Sequence, residues 1–410
     1  MKKIAAILIS TALITALLTS CEWTNPDDPE FESNLKSAQV VTTNNSFGLE
    51  LFSMILEDEE KANVMISPAS ISLALGMTYN GAETTTKEAF EEVLNYEGLT
   101  REEVNEVCRN LIEVLVTDSK GNLLEIANSI WYRDEFPVHQ SFFDLNTTYY
   151  DAEVRELDFA SPAAVDVING WVSNKTHDKI DEIIKELSPD AMMVLINALY
   201  FNCVWEYEFD KKETEMLPFY YGDGTGFQTV EMMKTESSFN YASTEEFTAV
   251  ELPYKNKKFS MHLFLPSLSI GLDGLIEEFS GEKWMEWMDE YQLNDEVQVV
   301  LPKFKFDYDR EIGKDLKDMG LEIAFSDAAD FSGISDISLL ISKVLHKTYI
   351  DCNEEGTEAA AVTAVVMELT SAIPSGPTVI TFDRPFLFAI TENSSNSIVF
   401  IGKLAEPEYE

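Results

Sequence analysis

Hydrophobic positions recur with helical spacing in the first half of the chain and with strand spacing in the second half. Apolar residues return every three or four positions over 46–57 and over 165–187, so both segments are predicted to be amphipathic helices. Between them, Ser67 precedes Pro68 and an apolar run that extends to Tyr79. Serine at a cap and proline in the first turn are typical of a helix start, so a third helix is predicted there.

The second half contains short runs rich in β-branched and aromatic residues, which favour strands. The predicted strands cover 192–204, 248–253, 259–265, 296–301, 339–350, 386–391 and 397–401. Because helices and strands are segregated along the chain, the pattern indicates an α+β fold rather than repeated βαβ units. No linker rich in Pro, Gly or Ser interrupts the chain after about residue 43, so a single domain over 39–410 is predicted.

One segment, 353–377, fits no single element. Its alanines favour a helix, its valines and threonines favour a strand, and a mobile loop is a third alternative; all three remain open from the residues alone. As a strand over 357–368, it would carry both charges of that stretch, Glu358 and Glu368, on one face. The other face would be uncharged and would carry Thr357, Ala359, Ala361, Thr363, Val365 and Met367. Because its first residues are small, that face could enter a sheet with little steric clash.

The N-terminus has the character of an export signal. Lys2 and Lys3 precede an apolar run over 4–18 that is too short to span a bilayer. The following Leu-Thr-Ser-Cys resembles a bacterial lipobox, in which Cys21 would receive the lipid. We therefore expect a signal peptide over 1–21 and an acidic, flexible tether over 22–38. The alternative is an ordinary signal peptide that happens to contain a cysteine.

These features predict an exported protein, lipid-anchored to the outer membrane or another part of the cell envelope and facing the periplasm or the exterior. Cys108, Cys203 and Cys352 remain after Cys21 is set aside, and none of them forms a CxxC pair. Three is an odd number, so no disulfide framework is expected. We interpret the three as small, buried, apolar residues.

Charge and missing motifs exclude several classes of function. Lys and Arg total 29 against 73 Asp and Glu, and a net charge of -44 argues against nucleic acid and heparin-like partners. The four histidines have no partner at metal-ligand spacing, and no GxSxG, P-loop or HExxH motif occurs. The glycine-rich 222–226 favours a hairpin turn over a phosphate loop. No enzyme activity, metal or cofactor is therefore predicted.

A family resemblance adds to this pattern. The segment 353–361, NEEGTEAAA, resembles the hinge of the serpin family of protease inhibitors. Further serpin-like motifs occur in family order from about residue 40 to 407: NVMISPASI at 63–71, ALGM at 74–77, GA at 81–82, NALYF at 197–201 with Trp205 and Phe209, LPKF at 301–304, ADFSG at 329–333, HK at 346–347, FDRPF at 382–386 and GK at 402–403. With the lipobox, the chain resembles a bacterial, lipoprotein-type member of this family.

The resemblance implies one α+β domain with three β-sheets, about nine helices and an exposed reactive-centre loop. It also assigns residues to three regions of that fold. The hinge comprises Glu354, Glu355, Gly356, Thr357, Glu358, Ala359, Ala360 and Ala361. The shutter, a hydrogen-bonded cluster under the central sheet, comprises Ser67, Ser70, Asn197 and His346. The breach, at the top of the sheet where insertion starts, comprises Trp205, Lys303 and Glu354, with an exposed Lys303–Glu354 ion pair expected to contribute only about 0–1 kcal/mol.

For function, the resemblance implies a monomeric inhibitor that a serine or cysteine protease attacks as a substrate. The cleaved loop then enters the central sheet and carries the acylated protease with it. Counting from Glu354 with the spacing usual in the family places the reactive bond at Thr370–Ser371. The loop is about four residues longer than usual, however, so the bonds Leu369–Thr370 and Glu368–Leu369 remain open as alternatives. These residues suit elastase-like or subtilisin-like targets. A non-inhibitory carrier or chaperone with the same fold is the alternative function.

Overall fold

The computed structural model describes residues 31–119, 121–188, 191–222, 224–358 and 377–409. Within these residues there are nine α-helices. They are α1 Leu35–Asp58, α2 Pro68–Tyr79, α3 Thr84–Val93, α4 Arg101–Leu115, α5 Gln140–Tyr150, α6 Ala164–Lys175, α7 Gly271–Glu277, α8 Gly281–Asp289 and α9 Gly313–Leu316. None of the helices in the described ranges is both long enough and apolar enough to cross a membrane.

The predicted start of α2 is confirmed, because Pro68 opens the helix and the Ser67 hydroxyl accepts a hydrogen bond from the Ser70 amide at 3.2 Å. Helix α1 begins earlier than predicted. Asn34 caps it in a capping box with Ser37, so residues 35–38 of the expected tether are helical. Val40 and Val41 are buried along this added length, so the first turns of α1 pack against the rest of the domain.

The predicted helix over 165–187 is wrong in its second half, because α6 ends at Lys175. His177 and Asp178 adopt positive φ angles of 51° and 61°, which an α-helix cannot accommodate. Side chains replace the helical hydrogen bonds beyond this point: Asn169 Oδ1 accepts from the amide nitrogens of Ile183 and Ile184, both at 3.0 Å. The apolar spacing of 180–187 therefore reflects burial of an irregular segment.

Sixteen strands occur in the described residues. They are β1 Val64–Ile66, β2 Thr117–Ser119, β3 Asn122–Arg133, β4 Glu153–Leu157, β5 Met193–Val204, β6 Glu215–Tyr220, β7 Phe227–Ser243, β8 Phe247–Pro253, β9 Phe259–Pro266, β10 Gln292–Pro302, β11 Phe304–Glu311, β12 Leu345–Cys352, β13 Gly356–Thr357, β14 Thr378–Thr381, β15 Phe386–Glu392 and β16 Ser397–Leu404. The strand predicted over 339–350 starts only at Leu345, since 339–344 pairs with no strand. The predicted hairpin at 222–226 is confirmed by the antiparallel pairing of β6 with β7.

The strands form two hydrogen-bonded sheets, and the expected α+β class is confirmed. The nine-stranded sheet has the order β1-β16-β15-β9-β8-β7-β10-β14, with β6 also on β7. We expected three sheets; two of them are joined here because the 17-residue β7 pairs with β6 near its start and with β8 near its end. The seven-stranded sheet, called the central sheet below, has the order β11-β12-β13-β5-β3-β2, with β4 on β3.

Both faces of the central sheet are covered around β5. Phe201 and Cys203 point into the main core, which the nine-stranded sheet closes on the other side. Ile196 and Ala198 alternate with them and pack against the α6 residue Ile168 in a second core cluster. A strand entering the sheet beside β5 must therefore present a core-compatible face to the main core.

Candidate functional site

Helix α2 places the shutter residues beneath the central sheet. The Ser67 backbone N–H donates to His346 Nε2 at 3.0 Å, and the Ser67 hydroxyl donates to the Val399 carbonyl at 2.6 Å. The Ser70 hydroxyl donates to Asn197 Oδ1. All four predicted shutter residues are thus brought together. His346 thus connects β12 to the start of α2, and Asn197 separately connects β5 to α2.

Sequence reasoning missed one further member of this cluster, Asn128 on β3. Asn197 Nδ2 donates to Asn128 Oδ1 at 2.7 Å, and Asn128 Nδ2 donates to the Tyr150 carbonyl at 2.6 Å. The two asparagines lie directly opposite each other in the β3–β5 ladder. An amide inside the largely apolar stretch 126–131 was the available signal, because such a group needs a partner when it is buried.

The His346 ring is neutral in this cluster, because its Nε2 accepts a hydrogen bond and because burial lowers its pKa to about 4. An unfolded histidine takes up its proton near pH 6.5, so the unfolded state binds more protons between pH 6.5 and 4. We expect acidification from pH 7 to pH 4 to lower the unfolding free energy by about 3 kcal/mol through this residue.

Urea unfolding of wild type and His346→Gln across this pH range measures that contribution as the difference between the two pH profiles. His177→Gln is the control, since the His177 side chain is 48% exposed and pairs with Glu125 at the surface. If His346→Gln keeps the full acid sensitivity of wild type, His346 is not the group responsible.

The start of the hinge lies inside the central sheet. Gly356 and Thr357 form β13, and Thr357 pairs with Cys352 on one side and with Cys203 on the other. The family resemblance implies that the stretch opening at Gly356 is stored outside the sheet before cleavage. This expectation is wrong for Gly356 and Thr357, which are already paired. Within the described residues, no ladder joins β5 directly to β12, and β13 alone connects them.

Gly356 is the residue that lets the hinge approach β5 closely. A Cβ atom there would lie 2.1 Å from the Cys203 carbonyl oxygen and 2.8 Å from the Val204 Cα. Both atoms belong to the backbone of a paired strand and cannot move aside as a side chain can. Only glycine fits in this position.

Thr357 and Glu358 show the predicted alternation of faces. The Thr357 side chain points into the core, where its hydroxyl lies 2.6 Å from the Tyr254 hydroxyl, and the residue is 3% exposed. Glu358 lies on the opposite face, where it pairs with Lys179 at 2.8 Å. Burial raises the pKa of Glu358 despite this pairing. The backbone of Glu358 has a φ of 59°, so the regular extended conformation ends at this residue.

The breach is a packed aromatic site with the hinge bonded to it. Trp205 is 1% exposed and stacks on Tyr254, with ring centroids 4.4 Å apart. The indole Nε1 donates to the Asn353 carbonyl at 2.9 Å, and the Trp205 amide donates to the Glu355 carbonyl at 3.0 Å. Trp205, predicted from the sequence, therefore holds the chain immediately before Gly356.

The Lys303–Glu354 ion pair is mostly buried, which corrects our expectation of an exposed pair. Lys303 Nζ lies 3.4 Å from Glu354 Oε2, and the two side chains are 13% and 8% exposed. Thr214 donates to the other carboxylate oxygen at 2.8 Å. Burial raises the pKa of Glu354, but its backbone hydrogen bond, Thr214 and the charge of Lys303 outweigh burial and hold the pKa below its ordinary value. A second pair that the sequence did not reveal, Lys211–Glu355, lies 2.5 Å apart.

Because this pair is buried, removing one partner leaves a charge that water cannot fully solvate. We expect Lys303→Met to lower the unfolding free energy by about 3 kcal/mol. The matched control is Lys61→Met, since the Lys61–Asp309 pair is about half exposed and its loss is expected to cost under about 1 kcal/mol. Urea unfolding at pH 7 compares the two, and equal losses would contradict a buried role for Lys303.

The remaining predicted residues lie outside the described ranges. They are Cys21 at the lipobox, the hinge residues Ala359, Ala360 and Ala361, and the reactive-bond candidates Glu368, Leu369, Thr370 and Ser371. The three other cysteines are free and buried, as predicted. Within the described residues, no three His, Cys, Asp or Glu side chains are arranged to hold a metal ion.

Comparison with known proteins agrees with this geometry. The family model for serpins, serine protease inhibitors, matches residues 42–407. A serpin-like protein of the archaeon Methanosarcina acetivorans is 37% identical over 380 residues, covering 90% of this chain and 88% of that protein.

Solved structures extend the comparison to the whole fold. The native state of tengpin, a thermophilic serpin, superposes with a TM-score of 0.82 at 34% identity, covering 92% of this chain and 96% of tengpin. Human thyroxine-binding globulin complexed with thyroxine superposes with a TM-score of 0.81 at 29% identity, covering 91% and 100%. The shutter, hinge and breach thus occur in a chain that is related to serpins over nearly its full length, and the protein belongs to the serpin family.

Proposed function

We propose that this serpin inhibits serine or cysteine endopeptidases as a single-use substrate whose cleaved loop inserts into the central sheet. The observation that carries this proposal is the position of β13. Gly356 and Thr357 already pair between β12 and β5, which is where an inserted strand would begin. Family membership supports it, since serpins are generally protease inhibitors.

Insertion is favoured by the backbone groups that β5 and β12 present to each other. A strand that continues from β13 would pair with both neighbours, as in recognition by β-strand addition. The side chains of Thr363, Val365 and Met367 would face the main core, following the direction that Thr357 already takes. At roughly 1 kcal/mol net per hydrogen bond, a dozen new bonds would contribute on the order of 10 kcal/mol. The uncleaved fold would then be held by a kinetic barrier.

In the proposed reaction the chemistry belongs to the target protease. Its nucleophile attacks the carbonyl of the reactive bond and forms an acyl-enzyme, with the new amino terminus as the leaving group. Loop insertion then displaces the protease before water can hydrolyse the ester. We place the bond at Thr370–Ser371, with Leu369–Thr370 and Glu368–Leu369 as alternatives.

The proposed targets are elastase-like or subtilisin-like proteases. No Lys or Arg occurs between Asp351 and Arg384, so the loop offers no basic residue to an Arg-specific pocket. The lipobox supports export and attachment to the cell envelope through Cys21. A lipidated inhibitor would act on proteases that reach the membrane surface.

Incubation with a panel of elastase-like, subtilisin-like and trypsin-like proteases tests the proposal. We expect an SDS-stable covalent complex with an elastase-like or subtilisin-like enzyme, and mass spectrometry of the released C-terminal fragment would identify the reactive bond. Inactivating the protease nucleophile is the control that must abolish the complex. Cleavage of the loop by every protease without any covalent complex would reject inhibition.

A non-inhibitory carrier is the alternative function, and the similarity to thyroxine-binding globulin, solved with bound thyroxine, is the observation that favours it. A carrier of this fold would be cleaved as an ordinary substrate. The same protease panel therefore separates the two functions.

A further inference from the structure

Two buried cysteines flank the hinge threonine in one row across the central sheet. Cys352 on β12 lies opposite Thr357, and Thr357 lies opposite Cys203 on β5. Residues directly opposite each other in a sheet point to the same face. Both cysteines belong to the main core, are 0% exposed and are free thiols. The hinge thus separates two thiols that point in the same direction.

Strand spacing determines whether these thiols can meet. Neighbouring strands lie about 4.8 Å apart, so two strands on either side of β13 lie roughly 10 Å apart. A disulfide requires Cα atoms within about 7 Å, which excludes a Cys203–Cys352 bond while Thr357 is seated. If the hinge leaves, β5 and β12 become parallel neighbours at one strand spacing, which lies inside the range that a disulfide bridges.

We propose that Cys203 and Cys352 form a disulfide when the hinge is withdrawn from the central sheet, and that this bond closes the sheet to strand insertion. Strand insertion would thereby depend on the oxidation state of these two cysteines. The reduced protein admits the loop, and the oxidised protein has β5 joined covalently to β12 at the position where β13 must enter.

Oxidation requires an external disulfide such as oxidised glutathione. One cysteine thiolate attacks a sulfur of oxidised glutathione and releases one glutathione thiolate. The second cysteine thiolate then attacks the protein sulfur of the mixed disulfide and releases the second glutathione. Two protein thiols are oxidised to one disulfide, and one glutathione disulfide is reduced to two thiols, which take up the two protons.

The seated hinge protects both thiols from this reaction. Burial raises the pKa of Cys203 and of Cys352, so neither is a thiolate nucleophile while Thr357 lies between them. Cys108 lies on α4 outside this row, and burial also raises its pKa, to about 11. Reaction of Cys203 and Cys352 therefore reports withdrawal of the hinge, and Cys108 serves as an internal reference.

The test uses the full chain with Cys21→Ser, so that the thiols are those of Cys108, Cys203 and Cys352. The reduced protein is incubated with oxidised glutathione, the remaining thiols are alkylated with iodoacetamide, and a non-reducing digest is analysed by mass spectrometry. We expect a peptide that links Cys203 to Cys352, and no link to Cys108. Cys352→Ser must abolish the linked peptide.

Matched glycine variants test the dependence on the hinge. Gly356→Ala places a Cβ against the Cys203 carbonyl and unseats the hinge, so we expect the disulfide to form at least tenfold faster than in wild type. Gly170→Ala on α6 is the control, because a Cβ there meets nothing within 4 Å, and it should match wild type. If Gly356→Ala does not fold, Tyr254→Phe removes the 2.6 Å bond to Thr357 and should accelerate the reaction several-fold.

Two outcomes would overturn the proposal. In the first, Cys352 of a hinge variant is alkylated faster than in wild type but no Cys203–Cys352 bond forms. In the second, the disulfide forms at the same rate in wild type and in the hinge variants. The consequence for inhibition rests on the proposed function. If the protein is an inhibitor, its oxidised form should no longer form a covalent complex with a protease, and reduction with dithiothreitol should restore complex formation. A reduced protein that forms no complex would count against the proposed function alone, since peptide mapping decides the disulfide independently.

Discussion

Cutting the loop is expected to raise the melting temperature of this protein by on the order of 10 °C. Insertion supplies roughly 10 kcal/mol at about 1 kcal/mol per ladder hydrogen bond. Because the unfolding entropy grows with chain length, each kcal/mol corresponds to about 1 °C in a chain of this size. The proposal places the loop outside the sheet beyond Glu358 before the cut, so that β5 and β12 gain a common neighbour only afterwards. Calorimetry before and after limited proteolysis in 359–376 measures the change.

A nicked Thr357→Arg protein is the control for this measurement. Its loop is cut at the same place, but a charged side chain opposes seating of the new strand against the core. We expect it to show little or no increase in melting temperature. An unchanged melting temperature in nicked wild type would show that no strand is inserted and would contradict the inhibitory mechanism.

Thr357→Arg is also expected to convert the protein from an inhibitor into a substrate. Thr357 is 3% exposed, and its hydroxyl lies 2.6 Å from that of Tyr254 inside the main core. An arginine there would have to bury its charge without a carboxylate partner or stay out of the sheet. The first alternative makes β13 unfavourable and the second prevents it from forming, so we expect insertion to be too slow and the protease to hydrolyse the acyl-enzyme first. We expect the yield of covalent complex to fall at least tenfold.

Two further variants separate this effect from a general loss of stability. Thr357→Ser keeps the hydroxyl that faces Tyr254 and should retain most complex formation. Thr148→Arg introduces the same charge at an exposed position on α5 and should behave as wild type. Retained inhibition in Thr357→Arg, measured on SDS gels as a stoichiometry of inhibition near that of wild type, would reject insertion at this residue.

Much of the fold could be predicted from local patterns. Ser67 and Pro68 define the start of α2 because capping depends on neighbouring residues only. The β-branched and aromatic runs of β5, β9, β15 and β16 predicted strands within a few residues of those observed. The helix over 165–187 failed because its apolar spacing is produced by burial against the central sheet, while the turn at His177 and Asp178 carries no glycine or proline as a signal.

The candidate site was less accessible to local reasoning, since its contacts join distant parts of the chain. The shutter residues came from the family resemblance, whereas Asn128 and the hinge partner Tyr254 were found only through the sheet pairing. Burial of the Lys303–Glu354 pair could not be read from the sequence, because exposure depends on what packs around both side chains. The seating of Gly356 and Thr357 likewise depends on the β5 backbone that they meet.

The arrangement of β14, β15 and β16 determines whether the two fragments of a cleaved molecule stay together. β15 lies between β9 and β16, β16 also pairs with β1, and β14 pairs with β10. All three strands that follow residue 377 therefore belong to the nine-stranded sheet. A break between Glu358 and Pro377 would split the polypeptide into two pieces that stay associated as one particle. Size-exclusion chromatography would not distinguish such a molecule from an intact one, and the smaller piece would separate only in denaturant.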